Sequence, residues 1–227
     1  MVKYGKMKII ILHGWGHSGE LWKNLATKFG KNAKALDLPG FGDEPLVKDD
    51  WGIPEYADWV IRQIDKKKDT VLIGHSFGGR IAAEVASKNP KLLKGLVLTG
   101  APCLYRPSTL VKAKIKIYKL LKVFMPKGIK VLFYSEDLKR AGKLEKIFRN
   151  IITYDQSTSL KKIIIPTLLI WGESDDQVQL HIAHEMEKLI PNSQLKIIEN
   201  AGHNAFLNKP DLFFGYVKNF INNLSDS

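Results

Sequence analysis

The sequence has 227 residues, of which 44% are hydrophobic and 26% are charged, and its formal net charge at pH 7 is +12. These fractions are typical of a globular protein and exclude a disordered chain, a collagen and a coiled coil. The one cysteine, Cys103, excludes an intramolecular disulfide and with it a disulfide-built scaffold. No apolar run approaches the roughly 18 residues of a membrane span, and the run 9–12 is too short for the core of a signal peptide. We therefore expect a cytoplasmic protein without a membrane partner.

Short apolar segments that suit buried parallel strands recur along the chain. They lie at residues 8–12, 34–38, 70–74, 95–99, 167–171 and 195–198. Amphipathic segments with apolar residues at helical spacing lie between and after them. They predict helices at residues 20–29, with Ser18 as the candidate N-cap, and at 54–66, 77–88, 181–190 and 211–222. This alternation predicts an α/β protein with a mostly parallel, doubly wound sheet.

One long segment interrupts the alternation. Residues 102–160 contain helical stretches at 110–124 and 135–152 and no strand of comparable quality. We predict that they form a helical cap inserted between two strands, while residues 1–101 and 161–227 form the sheet domain.

The positive charge is concentrated around this insertion. Residues 101–165 contain fifteen Lys or Arg and four Asp or Glu, whereas the remainder of the chain is almost neutral. One interpretation is a lysine-rich helical face exposed to water. The other is a surface that attracts an acidic substrate or carrier.

The third predicted strand ends in the motif Gly74-His75-Ser76-Phe77-Gly78, after which a helix begins. A sharp strand-to-helix turn of this kind strains the central serine and exposes its hydroxyl above the sheet, while the glycines avoid collisions across the turn. The five-residue pattern alone is a weak signal. Its place between a strand and a helix indicates that Ser76 is a nucleophile rather than an ordinary loop serine.

A serine nucleophile needs a base and a group that orients the base. His203 lies in a loop after the last predicted strand, at the edge of the sheet where Ser76 also lies, and is the candidate base. His75 is expected to point elsewhere along the turn. His181 and His184 lie on a predicted helix without a metal-binding pattern, so we expect them to be surface or packing residues.

The candidate acid follows the predicted strand 167–171, where Asp175 and Asp176 are adjacent. We predict that Asp175 orients the base and that Asp176 is a cap or loop carboxylate. The strand at 95–99 is followed by no carboxylate, which removes the other natural place for an acid. The resulting chain order is Ser, Asp, His.

The turn His13-Gly14-Trp15-Gly16 after the first predicted strand offers backbone donors for a developing oxyanion. Glycines there give access to the main chain and supply no side-chain chemistry. We predict that the N–H groups of Trp15 and Phe77 form an oxyanion hole. A bare tight turn is the alternative.

With these motifs the chain resembles the α/β-hydrolase fold family, from about residue 8 to residue 221. In the family's order, the matching motifs are His13-Gly14-Trp15-Gly16, Asp37-Leu38-Pro39-Gly40-Phe41-Gly42, Gly74-His75-Ser76-Phe77-Gly78-Gly79, Trp171-Gly172-Glu173-Ser174-Asp175 and Gly202-His203. The resemblance implies a triad of Ser76, Asp175 and His203, with Trp15 and Phe77 in the oxyanion positions. It implies neither a metal nor an organic cofactor.

Two features depart from the family pattern. The first predicted strand begins at residue 8, so the antiparallel hairpin that usually precedes it should be missing and the sheet shortened at that edge. Asn208 stands near the place where many members carry a glutamate. The segment 102–160 matches the family's variable cap in position only, so the resemblance does not name the substrate.

The leading hypothesis is a serine hydrolase that cleaves a small-molecule carboxylic ester through an acyl-enzyme on Ser76. A carbon–carbon bond hydrolase or a lyase would use the same site, because the fold hosts all of these reactions. Gly78-Gly79-Arg80 and the His-Gly-Trp-Gly turn also resemble members that act in cofactor biosynthesis, including esterases for carrier-protein-bound acyl esters. A nucleic-acid partner is disfavoured, because the basic segment lacks the motifs of such binding modules.

Overall fold

The computed structural model describes residues 7–106 and 141–225, and the structural statements below concern these residues. The strands are β1 (Lys8–Leu12), β2 (Ala33–Leu36), β3 (Thr70–His75), β4 (Gly95–Thr99), β5 (Thr167–Gly172) and β6 (Ser193–Ile198). They form a six-stranded sheet in the order β2-β1-β3-β4-β5-β6, and every neighbouring pair is parallel.

All six strands predicted from the sequence are present, and β1 and β4 have the predicted bounds. β2 begins one residue before the predicted segment 34–38 and ends two residues before the end of that segment. Its early end follows from His13, whose Nε2 accepts the N–H of Leu38 at 3.0 Å and so draws that residue away from a strand partner. β6 begins at Ser193, before the predicted residue 195, because its pairing with β5 starts there. Half-buried and exposed side chains alternate at the start of this strand, so its first residues form no continuous apolar run.

The helices of the described residues are α1 (Lys23–Phe29), α2 (Ile53–Gln63), α3 (Phe77–Lys88), α4 (Glu145–Ile152), α5 (Ser157–Leu160), α6 (Leu180–Leu189), α7 (Ala205–Asn208) and α8 (Pro210–Ser225). α1, α7 and α8 contribute to the apolar layer on one face of the sheet, and the remaining helices contribute to the layer on the other face. Within residues 7–106 and 141–225, no helix combines the length and the apolar character that a bilayer crossing requires.

Alternation of side chains along each strand builds these two layers. In β1, Ile9 and Ile11 belong to the layer with α1 and α8, whereas Ile10 and Leu12 belong to the layer with α2 and α3. Because helices cover both faces, the central strands are apolar at nearly every position. This is why they occur in the sequence as continuous apolar runs.

The first predicted helix is divided in two. A 3₁₀ turn at Gly19–Trp22 precedes α1, and the fully buried Trp22 ring stacks on Phe206 where the two parts join. Ser18 has the extended backbone of a cap residue, but its side chain makes no capping hydrogen bond. Ser18 therefore occupies the predicted cap position without making a side-chain capping bond.

α2 begins at Ile53, where the Glu55 carboxylate accepts the N–H of the cap residue Gly52 at 2.8 Å. Pro54 occupies the first turn, where its missing N–H has no helical partner to lose. The helix ends at Gln63, earlier than the predicted residue 66, because Ile64 adopts an extended backbone and is buried in the core.

The described part of the predicted cap contains α4 and α5. The predicted helix at 110–124 lies outside the described residues, as does the first part of the one at 135–152. The division into a core and a cap therefore stays a prediction.

Arg80 joins α3 to residues 151–156. Its buried guanidinium donates to the main-chain oxygens of Ile151 and Tyr154. Gln156 completes the link, because its Oε1 accepts from Arg80 Nε at 3.3 Å and its Nε2 donates to the Arg80 carbonyl at 2.9 Å. The Arg80 guanidinium and the Gln156 side-chain amide thus both have hydrogen-bond partners, as burial of a charged group requires.

The strand order changes direction beside β1. The chain passes from β1 to β2 on one side and then crosses to β3 on the other side. In open α/β sheets, such a reversal leaves a crevice at the carboxyl ends of the strands, where ligands bind. Both the turn at His13 and the turn at Ser76 follow strands that border this crevice.

Candidate active site

Ser76 lies in a strained turn between β3 and α3. Its φ of 51° and ψ of −115° are rare for a residue with a side chain. The turn is held by two backbone bonds, from Ser76 N–H to the Thr99 carbonyl at 2.9 Å and from Gly78 N–H to the His13 carbonyl at 3.1 Å. The hydroxyl is therefore attached to a fixed main chain at the carboxyl edge of the sheet.

The glycines of this turn are required by close approach of the main chain. A Cβ at Gly74 would lie 2.5 Å from the carbonyl oxygen of Gly78. A Cβ at Gly78 would lie 2.5 Å from the carbonyl oxygens of both Leu12 and His13. Neither site has room for a methyl group. The two glycines therefore allow the main chain around Ser76 to approach the turn after β1.

His203 and Asp175, the candidate base and its candidate orienting acid, are hydrogen-bonded to each other. Nδ1 of His203 lies 3.0 Å and 3.1 Å from the two carboxylate oxygens of Asp175, and both residues are buried. Asp175 is itself held by the N–H groups of Gln177 and Val178, at 3.0 Å and 2.8 Å from Oδ1. Asp176 is exposed.

The imidazole of His203 lies against Gly100, in the segment that holds the main chain of Ser76. A Cβ at Gly100 would lie 2.9 Å from Cε1 of His203. The preceding residue, Thr99, holds the Ser76 main chain. Since Nδ1 of His203 faces Asp175, Nε2 is the ring nitrogen left for the Ser76 hydroxyl. Among the hydrogen bonds of the described residues, none joins these two groups, and catalytic bonds of this kind often tighten only around a substrate.

The loop that carries His203 is held by Asn208. Its side-chain oxygen accepts the N–H of Gly202 at 2.9 Å. This is the position at which the sequence departs from the family's glutamate. The observed bond shows that the amide supports the main chain of the histidine loop.

The side chains of the two residues that carry the candidate oxyanion donors are in contact. The rings of Trp15 and Phe77 are in edge-to-face contact, with 5.4 Å between their centroids. Among the hydrogen bonds of the described residues, none engages the main-chain N–H of either residue. Gly14, next to Trp15, is close to the strand-to-helix turn of residues 74–78, which we call the elbow, because a Cβ at Gly14 would lie 3.3 Å from Cβ of Ser76.

His13 organises the turn that carries Trp15. Because its Nε2 accepts the N–H of Leu38, its Nδ1 carries the proton and donates to the Gly14 carbonyl at 2.8 Å. Burial lowers the pKa of His13, which favours this neutral form. The imidazole thus connects the end of β1 to the segment after β2, a role that the sequence motif does not reveal.

The second motif also has a structural role. The carboxylate of Asp37 accepts the N–H groups of Gly19 at 2.6 Å and Asp43 at 2.9 Å. Burial acts to raise the pKa of Asp37, but these two bonds outweigh it and hold the pKa below its ordinary value. The carboxylate therefore stays ionised and fixes the loop that carries Phe41.

An aromatic cluster adjoins the candidate oxyanion donors. Besides Phe77, the Trp15 ring contacts Phe41 at 5.0 Å and Phe148 at 5.1 Å between centroids. Sequence reasoning identified neither Phe41 nor Phe148 as part of the site. Phe41 belongs to the motif of residues 37–42, so the sequence contains a signal that could have placed it at the site. Phe148 lies in α4, and no sequence motif marks it.

His75 does not point away from the site, contrary to our expectation. Its ring lies 4.8 Å from the ring of His203, and its Nε2 is 3.2 Å from the main-chain oxygen of His203. Burial, together with the neighbouring His203, lowers the pKa of His75 to about 3. A neutral second imidazole therefore packs against the candidate base.

The remaining candidates for chemistry lie outside this cluster. His181 and His184 are exposed, as expected. Burial raises the pKa of the Cys103 thiol to about 12, so it stays protonated at neutral pH and is a poor nucleophile. Among residues 7–106 and 141–225, no group of three or more His, Cys, Asp or Glu residues is arranged to hold a metal ion.

Comparison with known proteins assigns the family. The sequence model of the Alpha/beta hydrolase family matches residues 9–215. The chain belongs to this family. The alpha/beta hydrolase fold and the hydrolytic enzyme predicted from the sequence are thereby confirmed.

Individual relatives of this alpha/beta hydrolase match it along almost its whole length. A pimeloyl-[acyl-carrier protein] methyl ester esterase of Wigglesworthia glossinidia brevipalpis is 29% identical over 253 residues, covering 96% of this chain and 94% of that protein. A protein of the same name from Legionella pneumophila (strain Corby) is 26% identical, covering 96% of this chain and 97% of its own. The solved structure of a thermophilic esterase superposes with a TM-score of 0.72 at 26% identity, covering 96% and 90% of the two chains.

Proposed function

We propose that this alpha/beta hydrolase cleaves carboxylic esters through an acyl-enzyme on Ser76. His203 is the general base and Asp175 the acid that orients it. The observation that carries the proposal is the buried pair of His203 and Asp175 beside a serine in a strained elbow. A nucleophile, a base and an orienting carboxylate in this relation are the parts that acyl transfer needs.

In the first half of the reaction, Nε2 of His203 takes the hydroxyl proton as Oγ of Ser76 attacks the ester carbonyl. The N–H groups of Trp15 and Phe77 stabilise the oxyanion that forms. The imidazolium then gives its proton to the departing alcohol, and the acyl group stays on Ser76. Asp175 keeps the proton on Nδ1 throughout, so Nε2 is always the atom that exchanges protons.

In the second half, water attacks the acyl carbonyl while His203 takes a proton from it. The bond to Oγ breaks, Ser76 recovers its proton, and the carboxylic acid leaves. The aromatic cluster of Trp15, Phe41, Phe77 and Phe148 supplies an apolar wall beside these steps. An apolar acyl or alcohol group suits such a wall.

A more specific candidate is an ester of an acyl group bound to an acyl carrier protein. Relatives that match nearly the whole chain carry the name pimeloyl-[acyl-carrier protein] methyl ester esterase. The net charge of +12 supports an acidic substrate or carrier, because a basic surface attracts acidic partners.

A fluorophosphonate probe tests the nucleophile. We expect the wild-type chain to be labelled and Ser76→Ala to lose both labelling and turnover of nitrophenyl esters, because only the attacking hydroxyl is removed. Ser18→Ala is the matched control, since the Ser18 side chain makes no capping bond. Labelling that persists in Ser76→Ala would assign the nucleophile to another residue.

The substrate class is tested with one acyl chain in two forms. We expect the methyl ester of a dicarboxylate chain to be cleaved with a higher kcat/KM on an acidic acyl carrier protein than as the free diester. Equal values for the two forms would remove the carrier protein from the proposal. The kcat/KM values of nitrophenyl esters of increasing acyl length then show how long an acyl chain the apolar wall accommodates.

A further inference from the structure

His75 carries an unsatisfied buried nitrogen. Among residues 7–106 and 141–225, the buried side-chain polar atoms without a hydrogen-bond partner are Nε1 of Trp22, Nδ1 of His75, Oγ1 of Thr99 and Oδ1 of Asn204. The other ring nitrogen of His75, Nε2, faces the main-chain oxygen of His203 at 3.2 Å. One side of this ring is therefore committed to the candidate base, and the other side is left without a partner.

This arrangement fixes the tautomer of His75. A carbonyl oxygen only accepts hydrogen bonds, so Nε2 of His75 carries the proton and donates a hydrogen bond to the main-chain oxygen of His203. Nδ1 then holds a lone pair and needs no proton. It lies against Gly14, where a Cβ would come within 2.9 Å of it. The ring is thus neutral, with its donor directed at the loop that carries the candidate base.

The surroundings of His75 favour the neutral ring. Its neighbours include the aromatic rings of Phe206, at 5.1 Å between centroids, and Trp22, at 6.0 Å. The titratable groups that act on it come from three elements: His17 after β1, Asp175 after β5 and His203 after β6. Asp175 is already paired with His203, so no free carboxylate compensates a charge on His75.

We propose that His75 is a positioning residue for His203, whose main-chain carbonyl it holds and whose ring it supports with a neutral imidazole. The bond uses the main chain of His203, so both ring nitrogens of His203 stay available for Asp175 and Ser76. When His203 takes the serine proton and becomes a cation, the adjacent neutral ring does not repel it. This inference rests on the proposed function, because it assigns His75 to the machinery of that base.

Two substitutions separate the donor from the ring. His75→Phe keeps an aromatic ring and removes the N–H, whereas the amide of His75→Gln can place a donor near the position of Nε2. We expect the second-order rate of fluorophosphonate labelling to fall about tenfold in His75→Phe, the effect of one lost hydrogen bond, and to recover in part in His75→Gln. KM for a nitrophenyl ester should change less than kcat, since His75 is not proposed to contact the substrate.

The controls distinguish this inference from the proposed function. His184→Gln, a change of an exposed histidine, should label at the wild-type rate. If Ser76→Ala is still labelled, the proposed function fails whatever His75 does. If Ser76→Ala is inert and a folded His75→Phe is labelled at the wild-type rate, the role of His75 is refuted while the proposed function stands.

A spectroscopic measurement does not depend on those variants. In wild-type protein labelled with ¹⁵N in its histidines, the ring signals of His75 should show a protonated Nε2 and an unprotonated Nδ1 from pH 5 to pH 8. Titration of His75 within that range, or the opposite tautomer, would overturn the proposal. The same spectrum of Ser76→Ala should be unchanged for His75, because the bond involves the main chain of His203.

Discussion

Asp175 and Asp176 are adjacent in sequence but lie in different environments. Asp175 is buried against His203, whereas Asp176 is exposed. We expect Asp175→Asn to lower kcat/KM by up to about 10⁴-fold, because the amide no longer holds the proton on Nδ1 of His203. Asp176→Asn, the matched control, should change kcat/KM by less than a few fold. The reverse order of the two effects would assign the acid to Asp176.

The low pKa of His75 makes a prediction for stability against pH. In the unfolded chain a histidine binds a proton below about pH 6.5, but in the folded protein His75 stays neutral down to about pH 3. The unfolded state therefore binds more protons in this window, and stability falls as pH falls through it. The slope is at most about 1.4 kcal/mol per pH unit, or about 2 kcal/mol between pH 6.5 and pH 5.

Urea unfolding at pH 7 and pH 5 measures this contribution. Wild type and His184→Gln should lose more free energy of unfolding between the two values than His75→Phe does, because that variant has no group to protonate at residue 75. Lowering of the pKa of His13 acts in the same direction and is common to all three proteins. Equal losses in all three would mean that His75 titrates normally in the folded state.

Within single elements, two helical glycines respond to alanine in opposite ways. A Cβ at Gly78 in α3 would lie 2.5 Å from two main-chain oxygens, whereas a Cβ at Gly215 in α8 meets nothing within 4 Å. We expect Gly78→Ala to cost about 1–3 kcal/mol and to slow fluorophosphonate labelling, because the elbow must shift. Gly215→Ala should instead gain about 0.5–1 kcal/mol from a less flexible unfolded chain. Denaturant unfolding of both variants checks the signs, and a neutral Gly78→Ala would contradict the packing described here.

The elements show why parts of the site were predictable from sequence. Ser76, Asp175 and His203 each follow a strand of the sheet, and the carboxyl ends of parallel strands share one edge, so their proximity follows from the strand assignments. The direction of His75 was predictable too. Ile73 faces the layer with α1 and α8, and two residues further along a strand the side chain faces the same layer.

Other parts of the site depend on tertiary packing. Phe148 of α4 contacts Trp15, and α4 is joined to α3 by the bond from Arg80 to the Ile151 carbonyl. No local pattern in α4 distinguishes a ring that contacts the site from one that faces the core. The early end of β2 likewise depends on His13, which is close to Leu38 in space and distant in sequence.

At the scale of the whole molecule, the net charge of +12 should act on association with charged substrates. Attraction at a surface raises the association rate and weakens with ionic screening. We expect kcat/KM for an anionic ester to fall several-fold between low salt and about 0.5 M salt, and that of a neutral ester of similar size to change little. Equal salt responses would leave the charge without a role in substrate capture.

Lysine variants locate the charge responsible. Lys112, Lys114 and Lys116 belong to the basic part of the sequence and lie outside the described residues, and their replacement by glutamine should reduce the salt effect on the anionic ester. Replacement of the exposed Lys66, Lys67 and Lys68 removes the same charge from a different part of the chain. An equal reduction by both sets would indicate a general effect of net charge.

β4 and β5 are neighbours in the sheet, although residues 102–160, the predicted cap, lie between them in the sequence. The entropy of closing such a loop grows only with the logarithm of its length, and doubling the length costs about 0.6 kcal/mol. The length of this one contiguous piece of chain can therefore change at little free-energy cost to the pairing of the six strands. Since the same piece supplies Phe148 beside Trp15, a change in it would alter the apolar contacts next to Trp15 while the pairing of the six strands is kept.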